Sequence, residues 1–193
     1  MIHTAIQGID LTFETDPRLF SPQHIDRGTL AMLRCADLRP DEKILDLGCG
    51  YGVVGIYLAK LSTGAQVTML DNDPAAVRLA AQNARANGVP GIRVLQSDGF
   101  NSLDDTGYTL ILCNPPYHTD FSAARHFIEK GFNRLALGGP DAGCGRLMMV
   151  TKRRDWYKNK LAAIFGGVGV QEIDGYYVFT AERRSQRYAN MKS

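Results

Sequence analysis

From about residue 43 onward, the chain alternates short apolar runs typical of β-strands with patterns typical of α-helices. The strand-like runs are rich in Val, Ile and Leu, and they are KILDL (43–47), VTML (67–70), IRVLQ (92–96), YTLILC (108–113) and RLMMVT (146–151). A helix after each strand returns the chain to the same end of the sheet, so the next strand runs parallel. The alternation therefore predicts an α/β fold, with a mostly parallel sheet and helices on both faces.

The C-terminal part of the pattern predicts a different pair of strands. The runs GVQEI and GYYVFTA meet at Asp174 and Gly175, and an Asp-Gly pair favours the tight turn of an antiparallel hairpin. With this hairpin, the predicted sheet has seven strands. Helical patterns fill the connections, at residues 52–61, 73–88, 122–137 and 155–167.

The first 40 residues form an addition to this pattern. IDLTFETDP (9–17) alternates like a strand, and DRGTLAMLRCADL (26–38) predicts a helix from Asp26 onward. No linker composition separates these residues from the rest of the chain. We therefore expect one domain over residues 1–193, in which residues 1–40 are an extension packed on the core.

The composition excludes several classes of protein. Hydrophobic residues make up 45% of the chain and charged residues 22%, which is typical of a folded globular protein. No apolar run approaches the roughly 20 residues of a membrane span, and the first residues lack a secretion-signal pattern. The four cysteines lack the CxxC spacing of a metal site. We expect a protein of the reducing cytoplasm, without a membrane partner or a metal.

A glycine-rich segment, ILDLGCGYGVVGIYLAK (44–60), places Gly48, Gly50 and Gly52 where a predicted strand turns into a helix. Glycines at such a turn allow the backbone to approach a ligand closely. The GxGxxG pattern of dinucleotide-binding proteins needs its third glycine at position 53, which is Val53. The match to that pattern therefore fails at one position.

Asp46 lies just before this glycine loop. Its carboxylate would repel a pyrophosphate and attract a cation. S-adenosylmethionine carries a sulfonium and an ammonium group and no phosphate. Asp46 therefore favours this cofactor over a nicotinamide dinucleotide.

Two more carboxylates follow the next two predicted strands. Asp71 comes 19 residues after Gly52, where an acidic side chain can accept both ribose hydroxyl hydrogens, although it could also cap the following helix. Asp98 could accept from an adenine amino group, with Phe100 against the ring, although it could also be a turn residue. Because the C-terminal ends of parallel strands share one edge, the three carboxylates predict a nucleoside site there.

The fourth predicted strand ends in Asn114-Pro115-Pro116-Tyr117. An amino group on a ring or carbonyl is a poor nucleophile, because its lone pair is delocalised. The Asn114 side-chain oxygen and the Pro115 carbonyl can accept its two hydrogens and localise the pair, while the prolines hold the backbone rigid. Tyr117 can stack on a planar substrate, a contact worth roughly 1–3 kcal/mol for a base. The alternative is a rigid turn that only ends the strand.

Three other side chains near this segment carry reactive groups. Cys113 could serve as a nucleophile that methylates a pyrimidine carbon, but its place on the strand favours a buried core thiol. His118 and His126 could act as bases or bind RNA, yet nothing in their spacing assigns them a role.

Taken together, these segments resemble the class I S-adenosylmethionine-dependent methyltransferases, through DLGCGYG, Asp71, SDGF and NPPY. The chain is most similar to the small methyltransferase family related to bacterial 16S ribosomal RNA guanine-N2 methyltransferases, through FSPQHIDRGT, NPPYH, VTKRRDWYKNKL and GYYVFTAE. The resemblance implies a seven-stranded Rossmann-like methyltransferase sheet and S-adenosyl-L-methionine as cofactor. One departure is the glycine-rich segment GGPDAGCG (138–145), which is longer than the usual turn there.

The same resemblance implies a set of site residues. The methionine part, the ribose and the adenine would face the glycine loop and the strand ends, the FSPQHIDRGT stretch would cover the cofactor, and the NPPY segment would hold the target amine. The implied cofactor-binding residues are Asp46, Gly48, Cys49, Gly50, Gly52, Asp71, Asn72, Asp98, Gly99, Phe100, Asn114, Phe20, Asp26 and Gly28, and the catalytic residues are Asn114, Pro115, Pro116 and Tyr117.

Charge is unevenly spread along the chain. Residues 1–149 hold 13 Lys and Arg against 16 Asp and Glu, whereas residues 150–193 hold 9 against 4. Lys152, Arg153 and Arg154 follow the fifth strand directly and could contact phosphates at the edge of the sheet where ligands bind. The other interpretation is a solvated surface.

These expectations combine into an N-methyltransferase that acts on an exocyclic amine, with guanine N2 of ribosomal RNA as the favoured acceptor. The expected partner is ribosomal RNA or the small ribosomal subunit, and the sequence carries no indication of oligomeric state. The alternatives are methylation of a protein glutamine amide or DNA adenine, a cofactor-binding module without catalysis, and a nicotinamide-dependent oxidoreductase, against which Asp46 and Val53 argue.

Overall fold

A computed structural model describes residues 1–115, 121–138 and 143–189 of the chain. Along these ranges the elements follow one another as β1 (Ile2–Ile6), β2 (Ile9–Phe13), α1 (Arg27–Cys35), β3 (Lys43–Leu47), α2 (Val53–Leu61), β4 (Gln66–Asp71), α3 (Pro74–Ala86), β5 (Arg93–Gln96), β6 (Leu110–Cys113), α4 (Ser122–Arg134), β7 (Arg146–Thr151), α5 (Arg154–Phe165), β8 (Gly169–Ile173) and β9 (Tyr176–Glu182).

Seven of these strands form one sheet in the spatial order β5-β4-β3-β6-β7-β9-β8. The five strands from β5 to β7 are parallel, and β9 pairs antiparallel with both β7 and β8. Asp174 and Gly175 both have positive φ in the connecting turn, at 51° and 78°, as a primed hairpin turn requires. The predicted seven-stranded sheet with an antiparallel C-terminal hairpin is confirmed.

The sheet is buried on both faces, which explains why its strands read as continuous apolar runs. In β3, Ile44 packs in one hydrophobic cluster with side chains from α1, α2 and α3, while Leu45 and Leu47 pack in a second cluster with side chains from α4 and α5. The prediction of helices on both faces is confirmed. Among the described residues, none of the helices combines the length and the apolar character needed to cross a membrane.

The N-terminal extension contains a strand that the sequence did not predict. β1 pairs with β2 in a separate two-stranded sheet, through a turn at Gln7 and Gly8 with φ of 48° and 83°. The burial of β1 alternates, with Ile2 and Ile6 buried, Thr4 half-buried and His3 and Ala5 exposed, but its residue types do not, because a threonine faces inward and an alanine faces outward.

Two asparagines of α3 hold the free edge of β2. Asn87 Oδ1 accepts from the Thr12 N–H at 3.0 Å, and Asn87 Nδ2 donates to the Thr12 carbonyl at 2.7 Å. Asn83 makes the same pair of bonds with the N–H and carbonyl of Glu14, at 2.8 and 2.9 Å. The side-chain amides thus take the place of a neighbouring strand and fix the hairpin next to the core.

Polar residues cap α3 at both ends. Asp73 caps α3 by accepting the Ala75 N–H at 2.7 Å, Pro74 occupies its first turn, and Asn87 is its C-cap. The segment 138–145 enters β7, so its described residues, Gly138 and 143–145, lie at the edge opposite the C-terminal end of β6.

Candidate active site

A cleft of about 660 Å³ opens at the C-terminal ends of β3, β4 and β6. This volume lies in the range of small-molecule sites, roughly 300–1,000 Å³. The walls come from the residues before and within α1, the glycine loop after β3, the ends of β4 and β6, the turn after β5, and the first turns of α4. Of the predicted site residues, the structure brings together Phe20, Asp26, Asp46, Gly48, Cys49, Gly50, Asp71, Asn72, Asp98, Gly99, Asn114 and Pro115 along this cleft.

The glycine loop requires glycine for its backbone conformation. Gly48 and Gly50 have φ of 73° and 55°, a region that other residues rarely adopt. A Cβ added to either would meet nothing within 4 Å, so the space outside the loop is open. The N–H groups of Gly48 and Cys49 both donate to the Leu70 carbonyl at 2.9 Å, which ties the loop to β4.

Asp46 is a buried carboxyl at the cleft, with 3% of its surface exposed. Its Oδ2 accepts the backbone N–H of Gly55 at 2.9 Å. The pKa of Asp46 is raised to about 7, mainly by burial; the hydrogen bond from Gly55 opposes the shift, and the negative charge of Asp71 adds to it. Little water reaches this carboxyl to stabilise its negative charge. It would therefore attract a cation bound in the cleft.

Asp71 is held by backbone donors on both oxygens. Oδ2 accepts the Gly50 N–H at 2.8 Å, and Oδ1 accepts the Asp73 N–H at 3.0 Å. Each carboxylate oxygen can accept a second hydrogen, so the side chain keeps the capacity to receive a diol. Asp98 and Gly99 line the same cleft beyond β5.

At the end of β6, the Asn114 side chain is fixed by the start of α1. Its Nδ2 donates to Asp26 Oδ2 and to Thr29 Oγ1, both at 2.9 Å. Because an ionised carboxylate only accepts hydrogen bonds, the NH2 end of the amide faces Asp26, and the oxygen is turned away from it. Pro115 lines the cleft beside Asn114, whereas Pro116, Tyr117 and His118 lie outside the described residues.

Three predicted site residues do not line the cleft. Gly28 is buried within α1. Gly52 is the N-cap of α2 with φ of 98°, and a Cβ there would lie 2.9 Å from Ile56 Cδ1, so it serves helix packing. Phe100 is 3% exposed and packs in the core, where its ring centroid is 6.5 Å from that of Phe127.

Several lining residues were missed by the sequence analysis. The first turns of α4 present one face to the cleft, because residues at i, i+1, i+4 and i+5 share a helix face. The sequence could have indicated these lining residues, because the helical pattern of α4 follows the NPPY segment directly. Ser21, Ile25 and Thr29 lie in the stretch predicted to cover the cofactor, and His126 was considered without a role. The missed lining residues are Arg18, Leu19, Leu47, Tyr51, Val53, Val54, Leu70, Asp73, Ala76, Ser97, Asn101, Ser122, Ala123 and Phe127.

Cys113 is 1% exposed at the end of β6. Burial raises its pKa well above the usual range, and the charges of Asp46 and Asp71 raise it further. Because the thiolate is the reactive form, this environment favours an inert thiol over a nucleophile. In the described part of the chain, no group of three or more His, Cys, Asp or Glu side chains could hold a metal ion.

The basic residues after β7 lie at the same edge of the sheet and are exposed. The Arg153 guanidinium lies 5.0 Å from the centroid of Phe121, which stacks on Trp156 with centroids 4.2 Å apart. Lys152 Nζ lies 4.9 Å from the Tyr176 ring centroid, and Arg154 makes a long contact of 3.5 Å with Asp155. Two of the three side chains are thus held against aromatic rings beside the end of β6.

The strand order, the glycine loop and the carboxylates at successive strand ends define a Rossmann-like domain whose cleft has the features of a nucleoside-binding site. A family model described as the methyltransferase small domain matches residues 10–180, and the chain belongs to this family.

The similar proteins include ribosomal RNA small subunit methyltransferase C of Pseudomonas putida (strain GB-1), which is 34% identical over 86% of this chain and 49% of its own length. Protein YbxB of Bacillus subtilis (strain 168) is 30% identical over 90% of this chain and 87% of its own length. The 16S rRNA N2 methyltransferase RsmC of T. thermophilus, solved with AdoMet and guanosine, matches with a TM-score of 0.85 and 27% identity. That match covers 95% of this chain and 50% of the solved chain. The chain thus spans about half the length of the P. putida and T. thermophilus proteins.

Proposed function

We propose that this protein is an S-adenosylmethionine-dependent methyltransferase that modifies an exocyclic amine, namely guanine N2 of ribosomal RNA. The observation that most directly supports this proposal is the orientation of Asn114, whose NH2 group donates to Asp26 and Thr29 at the end of β6. An amide held this way presents an acceptor to a substrate NH2 group. The names of the P. putida and T. thermophilus relatives support RNA as the substrate class.

The residues around the cleft fit the cofactor. Two glycines with positive φ border open space, and Asp71 has the acceptor capacity for a ribose diol. Asp46 places a buried carboxyl where the cationic methionine part would lie. When bound, S-adenosylmethionine supplies an activated methyl group. In this arrangement Asp98 and Gly99 receive the adenine, and Phe127 takes the apolar contact that Phe100 does not offer.

The end of β6 holds the acceptor. The Asn114 side-chain oxygen and the Pro115 carbonyl each accept one hydrogen of the substrate amine, which directs the nitrogen lone pair towards the cofactor side of the cleft. Tyr117 stacks on the base. Lys152, Arg153 and Arg154 contact phosphates of the same RNA strand, since they flank the end of β6. Because Phe20 and Asp26 line the cleft, these proposed roles make residues 1–40 part of the same functional domain as the core.

The deciding experiment supplies tritium-labelled S-adenosylmethionine to the full chain with separate pools of small ribosomal subunits, naked ribosomal RNA, DNA and protein. We expect label in N2-methylguanosine after digestion of the subunit or RNA pool, and none with the Asn114→Ala variant. Label in glutamine or in DNA adenine would replace the proposed substrate. Cofactor binding without label in any pool would favour a module without catalysis.

A further inference from the structure

Three groups from distant parts of the chain meet at the start of α1. Asp26 Oδ2 accepts the Thr29 N–H at 2.8 Å, as the N-cap of the helix, and also accepts from Asn114 Nδ2 at 2.9 Å. Thr29 Oγ1 accepts from the same Asn114 nitrogen at 2.9 Å. The N-terminal extension therefore provides two acceptors for the amide nitrogen of the proposed catalytic asparagine.

The chemistry of a carboxamide makes this contact important. Its oxygen and nitrogen occupy similar positions after a 180° rotation, but one accepts hydrogen bonds and the other donates them. A rotated Asn114 would place its oxygen against the Asp26 carboxylate and offer NH2 hydrogens to the substrate amine. Only one of the two orientations suits an incoming NH2 group.

The two acceptors sit on a rigid support. Thr29 is 7% exposed, and Ala31, Met32 and Leu33 of α1 are buried in the core. Because the helix packs against β7 and β9, the Thr29 hydroxyl has little freedom to follow a rotating amide. The orientation of Asn114 is thus set by a helix outside the predicted strand-and-helix core.

We infer that Asp26 and Thr29 are positioning residues that hold the Asn114 carboxamide in the orientation that accepts the substrate amine. This inference rests on the proposed function and goes beyond a cofactor-covering role for residues 20–29. Neither side chain touches the reacting nitrogen in this role, so both act through Asn114.

Thr29→Val tests the inference, because valine matches threonine in shape and leaves the Asp26 cap in place. We expect kcat to fall about tenfold, the effect of one lost hydrogen bond, with KM for RNA and the Kd for S-adenosylhomocysteine within about twofold. Thr29→Ser restores the hydroxyl and should recover most of the rate. Asp26→Asn keeps an acceptor oxygen, so its kcat should fall less than the kcat of Thr29→Val.

A second measurement does not depend on activity. The side-chain NH2 resonances of Asn114, identified by their loss in Asn114→Ala, report the two hydrogen bonds directly in a proton–nitrogen correlation spectrum. Thr29→Val should move them and Thr29→Ser should return them towards their wild-type positions. Wild-type kcat in Thr29→Val, or unmoved resonances, would overturn the inference. If the wild-type protein methylated no pool, the proposed function would fail while the spectra would still decide the positioning role.

Discussion

The Asp46 carboxylate accepts the backbone N–H of Gly55 over 2.9 Å, at the point where β3 meets the ligand cleft. This single donor offsets only part of the cost of burial, and the pKa of Asp46 is raised to about 7. Near neutral pH the neutral and the charged form of this carboxyl therefore compete in the free protein. A bound cation would change that balance in favour of the carboxylate.

From this pKa we expect the affinity for S-adenosylmethionine to rise with pH. Below about pH 7 the cation must displace a proton from Asp46, so affinity falls by up to tenfold per pH unit, and binding releases a proton. Calorimetry at about pH 6 and about pH 8, in buffers of different ionisation enthalpy, measures both effects. Asp46→Asn should bind more weakly, with a flat pH profile. A flat profile in the wild-type protein would contradict a carboxylate facing the cation.

Asn114→Ala should abolish methyl transfer, by roughly 100-fold or more, because one of two acceptors that orient the amine is lost. Cofactor affinity should change by less than about twofold, because the carboxylates Asp46 and Asp71 remain. Single-turnover transfer and calorimetry with S-adenosylhomocysteine separate the two effects. Asn133→Ala, an exposed position on α4, is the matched control. Undiminished transfer by the Asn114 variant would exclude the mechanism.

Replacing Lys152, Arg153 and Arg154 together by Ala should weaken RNA binding and flatten its salt dependence. Loss of three phosphate contacts lowers the slope of log K against log salt by about 2 for a single strand. A filter-binding titration across salt concentrations measures the slope. The control removes three cations at the opposite edge of the sheet, Lys60, Arg85 and Arg93, which end α2 and α3 and begin β5. Equal slopes for both triple variants would show that the position of the removed cations does not matter for RNA binding.

Asn83→Ala should destabilise the fold by about 2–4 kcal/mol, because Asn83 is 1% exposed and its loss leaves one buried and two part-buried backbone groups unpaired. The affected groups are the N–H and carbonyl of Glu14 and the carbonyl of Tyr51. Urea unfolding monitored by circular dichroism gives the free energy. Asn133→Ala, also in a helix but exposed, should cost less than about 1 kcal/mol. Because alanine favours a helix more than asparagine does, helix propensity does not account for a loss, and a loss below about 1 kcal/mol in Asn83→Ala would contradict the role of its bonds to β2.

The sequence predicted the sheet well because its signals are local. The strand runs from β3 onward, the helical pattern at 73–88 and the turn at Asp174 and Gly175 depend on neighbouring residues, and each was confirmed. β1 was missed because polar Thr4 lies on its inward side and apolar Ala5 on its exposed side, so its residue types do not alternate. Its strand conformation depends on pairing with β2 and on asparagines about 70 residues away.

Residues of the site could be predicted from the sequence only where they lie at the ends of strands. Asp46, Asp71 and Asn114 lie at one edge because parallel strands end together. The contact of Asp26 with Asn114 spans 88 residues and has no local pattern. Phe100 lies next to Gly99 of the cleft, but the turn after β5 directs its ring into the core, and sequence spacing does not reveal that direction.

The amides of Asn83 and Asn87 have one more consequence for this protein. An unpaired strand edge is a template on which another chain can add a strand and start aggregation. Here the outward N–H and carbonyl groups of Thr12 and Glu14 are already satisfied by a helix of the same molecule. The β2 edge of the hairpin is therefore closed to strand addition without a proline or a row of lysines.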